Sequence, residues 1–475
     1  MGSIGGHTTT ATADRRRRVL FFPLPYQGHI NPMFQLAGLL HLRGFSVTVF
    51  HTDFNAPDKS RHPAYDFVPV PVRGCLPKGS SDALQVTVER ILAVNRACEA
   101  PFRERLASLL AREDVACLVA DAHLLTLLDV ARGLGVPTLV LRTGSAACLR
   151  MFAAFPALCD KGTHVIHALT LLFVFQSDVE SQLETPVTEL PPYRVRDLPS
   201  TTSACHGVIS EVISRLVTAV TTSSGLILNT MDALECGELA SLRRDFGVPV
   251  FDIGPLHMLS PAASSSLLLQ DRGCLEWLDA QAPASVLYVS FGSLASMSAA
   301  ELVETAWGIA NSGYTFLWVL RPGLVRGSQT SEAAPPLPDG FDAATRGRGM
   351  VVSWAPQEEV LAHPAVGAFW THCGWNSTLE SLCAGVPVIA RPCFGDQMGN
   401  ARYVDHVWRT GLTLDGVLER GEVEAAVAAL MAPGEPGDGL RRRARELESS
   451  AADCMTKDGS SCTNVDKLVD HILTL

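Results

Sequence analysis

The sequence has 475 residues, which is more than one hydrophobic core usually supports, so its length predicts two domains of about 200 to 250 residues each. It is 47% hydrophobic and 18% charged, as is typical of a globular protein, and its formal net charge is −11. That acidic balance argues against a nucleic-acid partner, because phosphate binding draws on lysine and arginine. The 13 cysteines form no C-x-x-C pair, which favours reduced thiols and argues against a zinc site.

The N-terminus and the apolar runs predict a cytoplasmic protein. The N-terminal stretch is polar and rich in glycine and threonine, so we expect residues 1–14 to be disordered and find no secretory signal there. The longest other apolar run, residues 167–175, is far shorter than the roughly 20 residues that span a bilayer. We therefore expect a monomer in the cytoplasm, without stable membrane insertion.

Short strand-like runs alternate with helical patterns through the first half of the chain. The run "RRVLFFPLP" predicts a strand and a Pro-rich loop, "INPMFQLAGLLHLRG" predicts a helix that stops at glycine, and "FSVTVFHT" predicts a second strand. The same order returns in "VACLVADAH", "LLTLLDVARGLG" and "VPTLVLRT". Strands that alternate with helices predict a parallel sheet covered on both faces.

A second series of the same kind follows a stretch rich in serine, alanine and proline. It runs from "SVLYVSFGS" through "TFLWVLR" and "AFWTHCG" to "VPVIARP". The predicted fold class is α/β, with two tandem doubly wound parallel-sheet domains that face a cleft. We expect an N-terminal domain over 1–255, a linker over 256–270, a C-terminal domain over 271–455, and a helix within 456–475 that packs back on the N-terminal domain.

Ligands of such folds bind beyond the carboxyl ends of the strands. The stretch "WTHCGWNSTLES", residues 370–381, lies at the carboxyl end of a predicted strand. His372 ends the predicted strand, and Asn376 or Ser377 is predicted to cap the next helix. Ordinary helix capping by serine, with Glu380 one turn inside, would explain part of this pattern. The histidine beside unpaired helix-start amides instead indicates a phosphate site.

A glycine-rich strand end, "YVSFGS", supports the phosphate interpretation. Gly292 permits close approach of the backbone, and Ser293 can donate to the same phosphate. The sequence contains neither a P-loop nor a dinucleotide fingerprint, and no two aspartates are separated by a single residue. We therefore expect hydrogen-bond donors and a helix start, with no metal ion, to balance the charge of a diphosphate.

Two residues of the N-terminal half predict an acid–base pair. His29 follows the first strand in "PYQGHINP", and Asp121 ends another strand in "LVADAH". A lone histidine at such a place is more often structural. A carboxylate that met it at the edge of the sheet would fix its tautomer and leave the other ring nitrogen free to take a proton.

The stretch from Trp354 to Gln397 resembles the signature segment of the plant UDP-dependent glycosyltransferases along its whole length. The resemblance extends from "FPLPYQGHINP" to the C-terminus and implies two Rossmann-like domains of the GT-B type. It also implies that His29 and Asp121 form the catalytic pair. The residues that it assigns to the UDP-sugar are Thr143, Ser293, Trp354, Ala355, Gln357, His372, Trp375, Asn376, Ser377, Glu380, Asp396 and Gln397.

The resemblance gives individual roles at the two ends of the donor. Trp354 would stack on the uracil, Gln357 would reach the ribose region, and Glu380 would accept hydrogen bonds from the ribose hydroxyls. Trp375, Asp396 and Gln397 would line the sugar, with Thr143 at its far edge. The amide at 397 is the choice that the family usually makes for glucose, so the implied donor is UDP-glucose, a co-substrate, and no cofactor is expected.

The implied reaction is a metal-independent, inverting glucosyl transfer to a hydroxyl of a small, largely apolar plant metabolite. Within the family the chain resembles the grass glucosyltransferases of benzoxazinoids, which implies a cyclic hydroxamic acid such as DIMBOA or DIBOA as acceptor. Flavonoids, hormones and mycotoxins are the alternatives. Residues 145–158, with Phe22 and Leu24, are candidates for the apolar wall of the acceptor site, although a core position would explain them equally well.

Two other classes of function remain to be weighed. A non-catalytic nucleotide-sugar-binding protein of the same fold is disfavoured by the presence of both His29 and Asp121. A nicotinamide-dependent dehydrogenase is disfavoured by the missing fingerprint.

One stretch also departs from the family, because residues 163–180 replace a short polar linker with a largely apolar run. It would either add a buried segment beside the acceptor site or weaken folding.

Overall fold

The computed structural model describes residues 17–72, 83–160, 181–199, 206–260, 266–326 and 334–475. The predictions for residues 1–14 and 163–180, and residues 261–265 of the predicted linker, lie outside these ranges. Within the described ranges no helix is both long and apolar enough to cross a membrane.

The first half of the chain builds a parallel sheet of seven strands in the order β3-β2-β1-β4-β5-β6-β7. Apart from the edge strand β3, which is largely exposed or half-buried, its strands are short and mainly buried apolar runs, as expected for a sheet covered on both faces. The elements are β1 (Arg18–Phe22), α1 (Gln27–Leu42), β2 (Ser46–Thr52), β3 (Asp66–Val70), α2 (Ala83–Leu110), β4 (Val115–Asp121), α3 (Leu125–Gly133), β5 (Thr138–Arg142), α4 (Ala146–Asp160), α5 (His206–Thr221), β6 (Gly225–Leu228), α6 (Asp232–Asp245), β7 (Val250–Asp252) and α7 (Leu256–Leu259).

The second half builds a parallel sheet of six strands in the order β10-β9-β8-β11-β12-β13. Its elements are α8 (Gly273–Asp279), β8 (Val286–Ser290), α9 (Ala299–Ser312), β9 (Thr315–Val319), α10 (Phe341–Ala344), β10 (Gly349–Val352), α11 (Gln357–Leu361), β11 (Val366–Thr371), α12 (Trp375–Cys383), β12 (Val388–Ala390), α13 (Gln397–Arg402), β13 (Gly411–Thr413), α14 (Arg420–Met431), α15 (Gly437–Cys454) and α16 (Ser460–Thr474). The architecture is the two-domain GT-B type, as predicted.

The strand order reverses between β1 and β4 in the first sheet, and between β8 and β11 in the second. A crevice opens at such a reversal, because the connections on its two sides run to opposite faces of the sheet. The segments that leave β1, β4, β8 and β11 carry the predicted acid–base pair and the predicted phosphate site. The topology therefore brings the candidate residues of each half to the mouth of one crevice.

The last helix, α16, packs on the first sheet although it follows the second one in the chain. Val465, Leu468 and Ile472 are buried in the same core cluster as residues of β1 and β2. The hydroxyl of Ser461 donates to the Gly254 carbonyl at 2.6 Å, and the Asn464 amide donates to the Asp252 side chain at 3.0 Å. The end of the chain thus spans both halves.

Candidate active site

A cavity of about 640 Å³ lies between the two sheets and is lined by residues of both halves. All twelve residues that the sequence assigns to the donor line it, and so does His29. Asp121 lies directly behind His29 and is completely buried.

The first sheet holds His29 and Asp121 in contact. His29 is in the first turn of α1, and its Nδ1 lies 2.6 Å from Oδ2 of Asp121, the last residue of β4. Burial by itself raises the pKa of Asp121, but His29 and His123 outweigh it and hold that pKa well below its usual range. An ionised carboxylate can only accept, so Nδ1 of His29 carries the proton and Nε2 keeps its lone pair.

Two further residues touch this pair. The hydroxyl of Thr143, just after β5, lies 3.0 Å from Nδ1 of His29, so Thr143 contacts the imidazole as well as lining the cavity. His123 places its own Nδ1 2.9 Å from the second carboxylate oxygen of Asp121. His123 belongs to the segment "LVADAH" but was not among the predicted site residues.

His29, Asp121 and His123 are close enough to share a metal ion, since one potential ligand atom of each lies within 4.8 Å of the others. In the structure both Nδ1 atoms are turned to the carboxylate oxygens. Hydrogen bonding therefore accounts for the arrangement of the three side chains. The prediction that no metal takes part remains a prediction.

The start of α12 differs from the predicted capped helix. The N-cap is Gly374, no side chain caps the helix, and Asn376 and Ser377 lie inside its first turn. The prediction that one of these two residues is the cap is wrong, because the chain enters the helix two or three residues earlier. The amides at this helix start are consequently left without a side-chain acceptor at the edge of the cavity, which is the arrangement that attracts a phosphate.

His372 lies beside these amides, fixed between two glycines. A Cβ atom on Gly292, where φ is +65°, or on Gly374 would come within 2.6 Å of its Nε2. Burial, and next the charge of Arg321, lowers the pKa of His372 to about 4. The imidazole is therefore neutral at neutral pH and offers a single N–H donor.

Arg321 supports this site from behind and was missed by the sequence analysis. It follows β9, is buried, and its guanidinium donates to the carbonyls of Gly292 (2.6 Å), Pro322 (3.1 Å) and Ala295. Burial lowers its pKa to about 10, which still leaves it charged at neutral pH. A cation thus holds the glycine-rich loop and adds positive potential next to His372.

A hydrogen-bonded group of side chains lines the cavity where the resemblance places the nucleotide. Gln357 Nε2 donates to the Ser377 hydroxyl at 2.8 Å and to Glu380 at 2.7 Å, and the Tyr288 hydroxyl donates to the Gln357 carbonyl at 3.3 Å. Burial, and next the charge of Glu358, raises the pKa of Glu380. Trp354 lines the cavity at this end, and its indole N–H donates to Ser266 at 3.1 Å.

Trp375 and Asn376 also bind the first half of the chain. The Trp375 indole N–H donates to the Asn229 carbonyl at 2.7 Å, and the Asn376 amide donates to the Gly28 carbonyl at 2.9 Å. The side-chain oxygen of Asn376 is buried without a hydrogen-bond partner among the described residues. The helix that carries the predicted phosphate site is therefore hydrogen-bonded to the residue next to His29.

The segment at the start of α13 presents polar groups to the middle of the cavity. The Gln397 carbonyl accepts from the amides of Cys393 and Phe394 at 2.8 and 3.1 Å, so its NH₂ group is left for a ligand. Asp396 accepts from Asn400 at 3.3 Å, and Asn400 also donates to the Cys373 carbonyl at 3.0 Å. Asn400, which was not among the predicted site residues, ties this loop to the predicted phosphate site.

The apolar wall of the cavity comes mainly from helices that the sequence analysis did not assign to it. Its apolar residues include Leu24, Val88, Ile91, Phe152, Ile209, Val212, Ile213 and Leu216. Leu24 and Phe152 were candidates. The candidate Phe22 is instead fully buried and stacks against Phe50, and most of the apolar residues of 145–158 are core residues. The remaining wall belongs to α2 and α5.

Comparison with known sequences places these features in a family. Residues 269–434 match the family described as UDP-glucoronosyl and UDP-glucosyl transferase. The chain is 47% identical over 469 residues to the DIMBOA UDP-glucosyltransferase BX8 of Zea mays, a match that covers 95% of this chain and 98% of that protein. It is 46% identical to the DIMBOA UDP-glucosyltransferase BX9 of Zea mays, over 92% of this chain and 91% of that one.

A solved structure shows the same fold with ligands in place. The UGT2 of Phytolacca americana, complexed with UDP-2fluoro-glucose and pterostilbene, superposes on this chain with a TM-score of 0.78 at 29% sequence identity. The match covers 96% of this chain and 99% of that one.

Proposed function

We propose that this protein moves glucose from UDP-glucose to a hydroxyl of a small, largely apolar plant metabolite. The premise is that the chain belongs to the family of UDP-glucoronosyl and UDP-glucosyl transferases and is a glycosyltransferase. The acceptor in this proposal is a benzoxazinoid hydroxamic acid such as DIMBOA or DIBOA. The reaction is a single inverting displacement that uses no metal ion. The observation that carries it is the contact of 2.6 Å between His29 and Asp121, across one cavity from the uncapped start of α12.

The donor lies along the second sheet in this proposal. The uracil packs on Trp354, and the ribose hydroxyls donate to Glu380. The diphosphate accepts hydrogen bonds from Ser293, from His372 and from the amides at the start of α12, so the dipole of that helix faces the negative charge. The glucose hydroxyls meet the carboxylate of Asp396 and the free NH₂ group of Gln397.

The transfer needs a base because a neutral hydroxyl is a poor nucleophile. Nε2 of His29 takes the acceptor proton while the acceptor oxygen forms a bond to the anomeric carbon, a contribution of roughly 10²- to 10⁴-fold. The bond from that carbon to the diphosphate breaks, and its electron pair stays on UDP, where the donors around His372 stabilise the charge. One displacement turns an α-linked donor into a β-glucoside.

The names of the relatives support the choice of acceptor, and the apolar wall formed by α2, α4 and α5 supports a small ring compound. The test is a UDP-glucose assay with a panel of hydroxylated acceptors that contains DIMBOA, DIBOA, a flavonoid and a trichothecene. Mass spectrometry detects the added hexose, and NMR gives the anomeric configuration. Hexose on another acceptor alone would refute the benzoxazinoid assignment and leave the reaction class in place.

Variants of the base separate catalysis from binding. We expect His29→Asn to lower kcat by a factor of at least roughly 10² while UDP affinity, measured by titration calorimetry, stays at the wild-type level. An α-configured product, or full turnover by His29→Asn, would contradict the proposed mechanism.

A further inference from the structure

Asp121 holds two imidazoles, and the proposed reaction uses only one of them. Oδ2 contacts Nδ1 of His29 at 2.6 Å, whereas Oδ1 accepts both from Nδ1 and from the backbone N–H of His123, each at 2.9 Å. The Asn95 amide donates to the His123 carbonyl at 2.8 Å, so the backbone of His123 is fixed on both sides. The position of the second imidazole is thus as well determined as that of the base.

The hydrogen bonds of His123 define which ring nitrogen is free. Because the ionised carboxylate only accepts, Nδ1 of His123 carries its proton. Burial lowers the pKa of His123, and the charge of Arg142 adds to that effect against the opposing pull of Asp121. The ring is therefore neutral, and its Nε2 is a hydrogen-bond acceptor.

That acceptor atom has no protein partner in the described part of the chain. His123 lines the cavity with 14% of its side chain exposed, and its only side-chain hydrogen bond goes to Asp121. A polar atom in a largely apolar cavity costs free energy unless something satisfies it. The cavity wall includes the apolar residues Leu24, Ile91 and Phe152, and no described side chain donates to Nε2 of His123.

We infer that His123 is an acceptor-binding residue, whose Nε2 accepts a hydrogen bond from a second O–H group of the acceptor, next to the hydroxyl that His29 deprotonates. This inference rests on the proposed function and adds to it the class of acceptor. The two rings are 5.3 Å apart between centroids, at an interplanar angle of 82°, and both are hydrogen-bonded to one carboxylate. Two imidazoles this close select an acceptor that carries two hydroxyl groups close together on one small ring system.

Two substitutions divide the functions of the His123 ring. In His123→Asn the side-chain NH₂ takes the place of Nδ1 and keeps the hydrogen bond to Asp121, but nothing replaces Nε2. In His123→Gln the side-chain oxygen reaches the position of Nε2, whereas the bond to Asp121 is lost. The probes are catechol, with two adjacent hydroxyls, and phenol, with one, each assayed with UDP-glucose.

We expect the wild-type enzyme to have a higher kcat/KM for catechol than for phenol, beyond the factor of two that follows from having two equivalent hydroxyls. His123→Asn should lower the catechol-to-phenol ratio by roughly 3- to 10-fold, the size of one net hydrogen bond, mostly through KM. His123→Gln should leave that ratio within about twofold of wild type. A purely structural role would change kcat/KM for both phenols equally and would favour Asn over Gln.

An unchanged ratio in His123→Asn would overturn the inference, as would a wild-type enzyme that treats both phenols alike or uses neither. Equal stabilisation by UDP in thermal unfolding checks that both variants keep the donor site intact. Failure of the proposed function gives a different result, namely no hexose on any acceptor of the panel. The two failures can therefore be told apart.

Discussion

The fixed position of His372 leads to a quantitative prediction for Gly292→Ala. The glycine has φ of +65°, and a methyl group at this position would come within 2.6 Å of Nε2 of the imidazole, where ordinary contacts begin at 3.4 Å. The left-handed backbone alone costs an alanine about 1–2 kcal/mol of folding stability. The contact adds a separate effect, because it moves the imidazole by nearly an ångström from the place where we propose that it meets the diphosphate.

Loss of one hydrogen bond to a charged phosphate is worth about 1.5–3 kcal/mol, so the affinity for UDP should fall by roughly 10- to 150-fold. Titration calorimetry with UDP measures the loss directly. The KM for UDP-glucose should rise by a similar factor, whereas the affinity for the acceptor should change little.

Gly313→Ala is the matched control. Gly313 ends α9 with φ of +74°, and nothing lies within 4 Å of its added Cβ atom. This variant carries the same backbone strain without the contact, so we expect it to lose stability in chemical denaturation and to bind UDP normally. If Gly292→Ala bound UDP as tightly as Gly313→Ala does, the assignment of His372 to the diphosphate would be refuted.

Three further predictions concern buried charges. Arg321→Met should cost about 2–4 kcal/mol in urea unfolding and weaken UDP binding at least tenfold, because the Gly292 carbonyl and its neighbours lose their donor; wild-type stability would refute this. We expect UDP affinity to rise with pH as Glu380 ionises. Glu358→Gln removes a negative charge that raises the pKa of Glu380 and should lower that pKa, so the UDP affinity measured by calorimetry should reach its plateau at a lower pH. Burial raises the pKa of Glu235 to about 7, so between about pH 5 and 7 the folded state holds a proton on this side chain that the unfolded state has released. The free energy of unfolding therefore falls as the pH rises through this range. Glu235→Gln should flatten this pH dependence in urea titrations, and an unchanged slope would contradict the prediction.

Local sequence patterns were sufficient to predict most of the strands of both sheets, whereas β3, β6, β7 and β13 were not predicted. Each strand of the two predicted series appears at its expected place, because buried parallel strands are continuous apolar runs separated by glycine-rich turns and amphipathic helices. The same patterns gave the carboxyl ends of the strands, and from these ends came His29, Asp121, Gly292 and His372. The edge of a parallel sheet is therefore the part of an active site that single-sequence reasoning predicts best.

The residues that were missed depend on three-dimensional contacts. Arg321 follows a strand, as the predicted site residues do, but it acts by donating hydrogen bonds to carbonyl groups of a loop nearly thirty residues earlier in the chain. The spacing of residues in the sequence does not predict such contacts. His123 is only two residues from Asp121, and the turn that brings its ring back to the same carboxylate cannot be predicted from residue types. The walls supplied by α2 and α5 were missed because helices that line a cavity have the same apolar spacing as helices that line a core.

The hydrogen bonds of Asn376 and Trp375 explain how two separate sheets can form one reaction centre. A displacement needs the attacking oxygen and the leaving group on opposite sides of one carbon, and an error of about an ångström can cost a factor of roughly 10² in rate. The proposed base, His29, belongs to the first sheet, and the proposed diphosphate site belongs to the second. Asn376 donates to the carbonyl of Gly28, the residue before the base, and Trp375 donates to the Asn229 carbonyl, so the first turn of α12 is bonded to the first sheet at two points. The distance between the proposed base and the proposed diphosphate site is thus fixed by short local contacts.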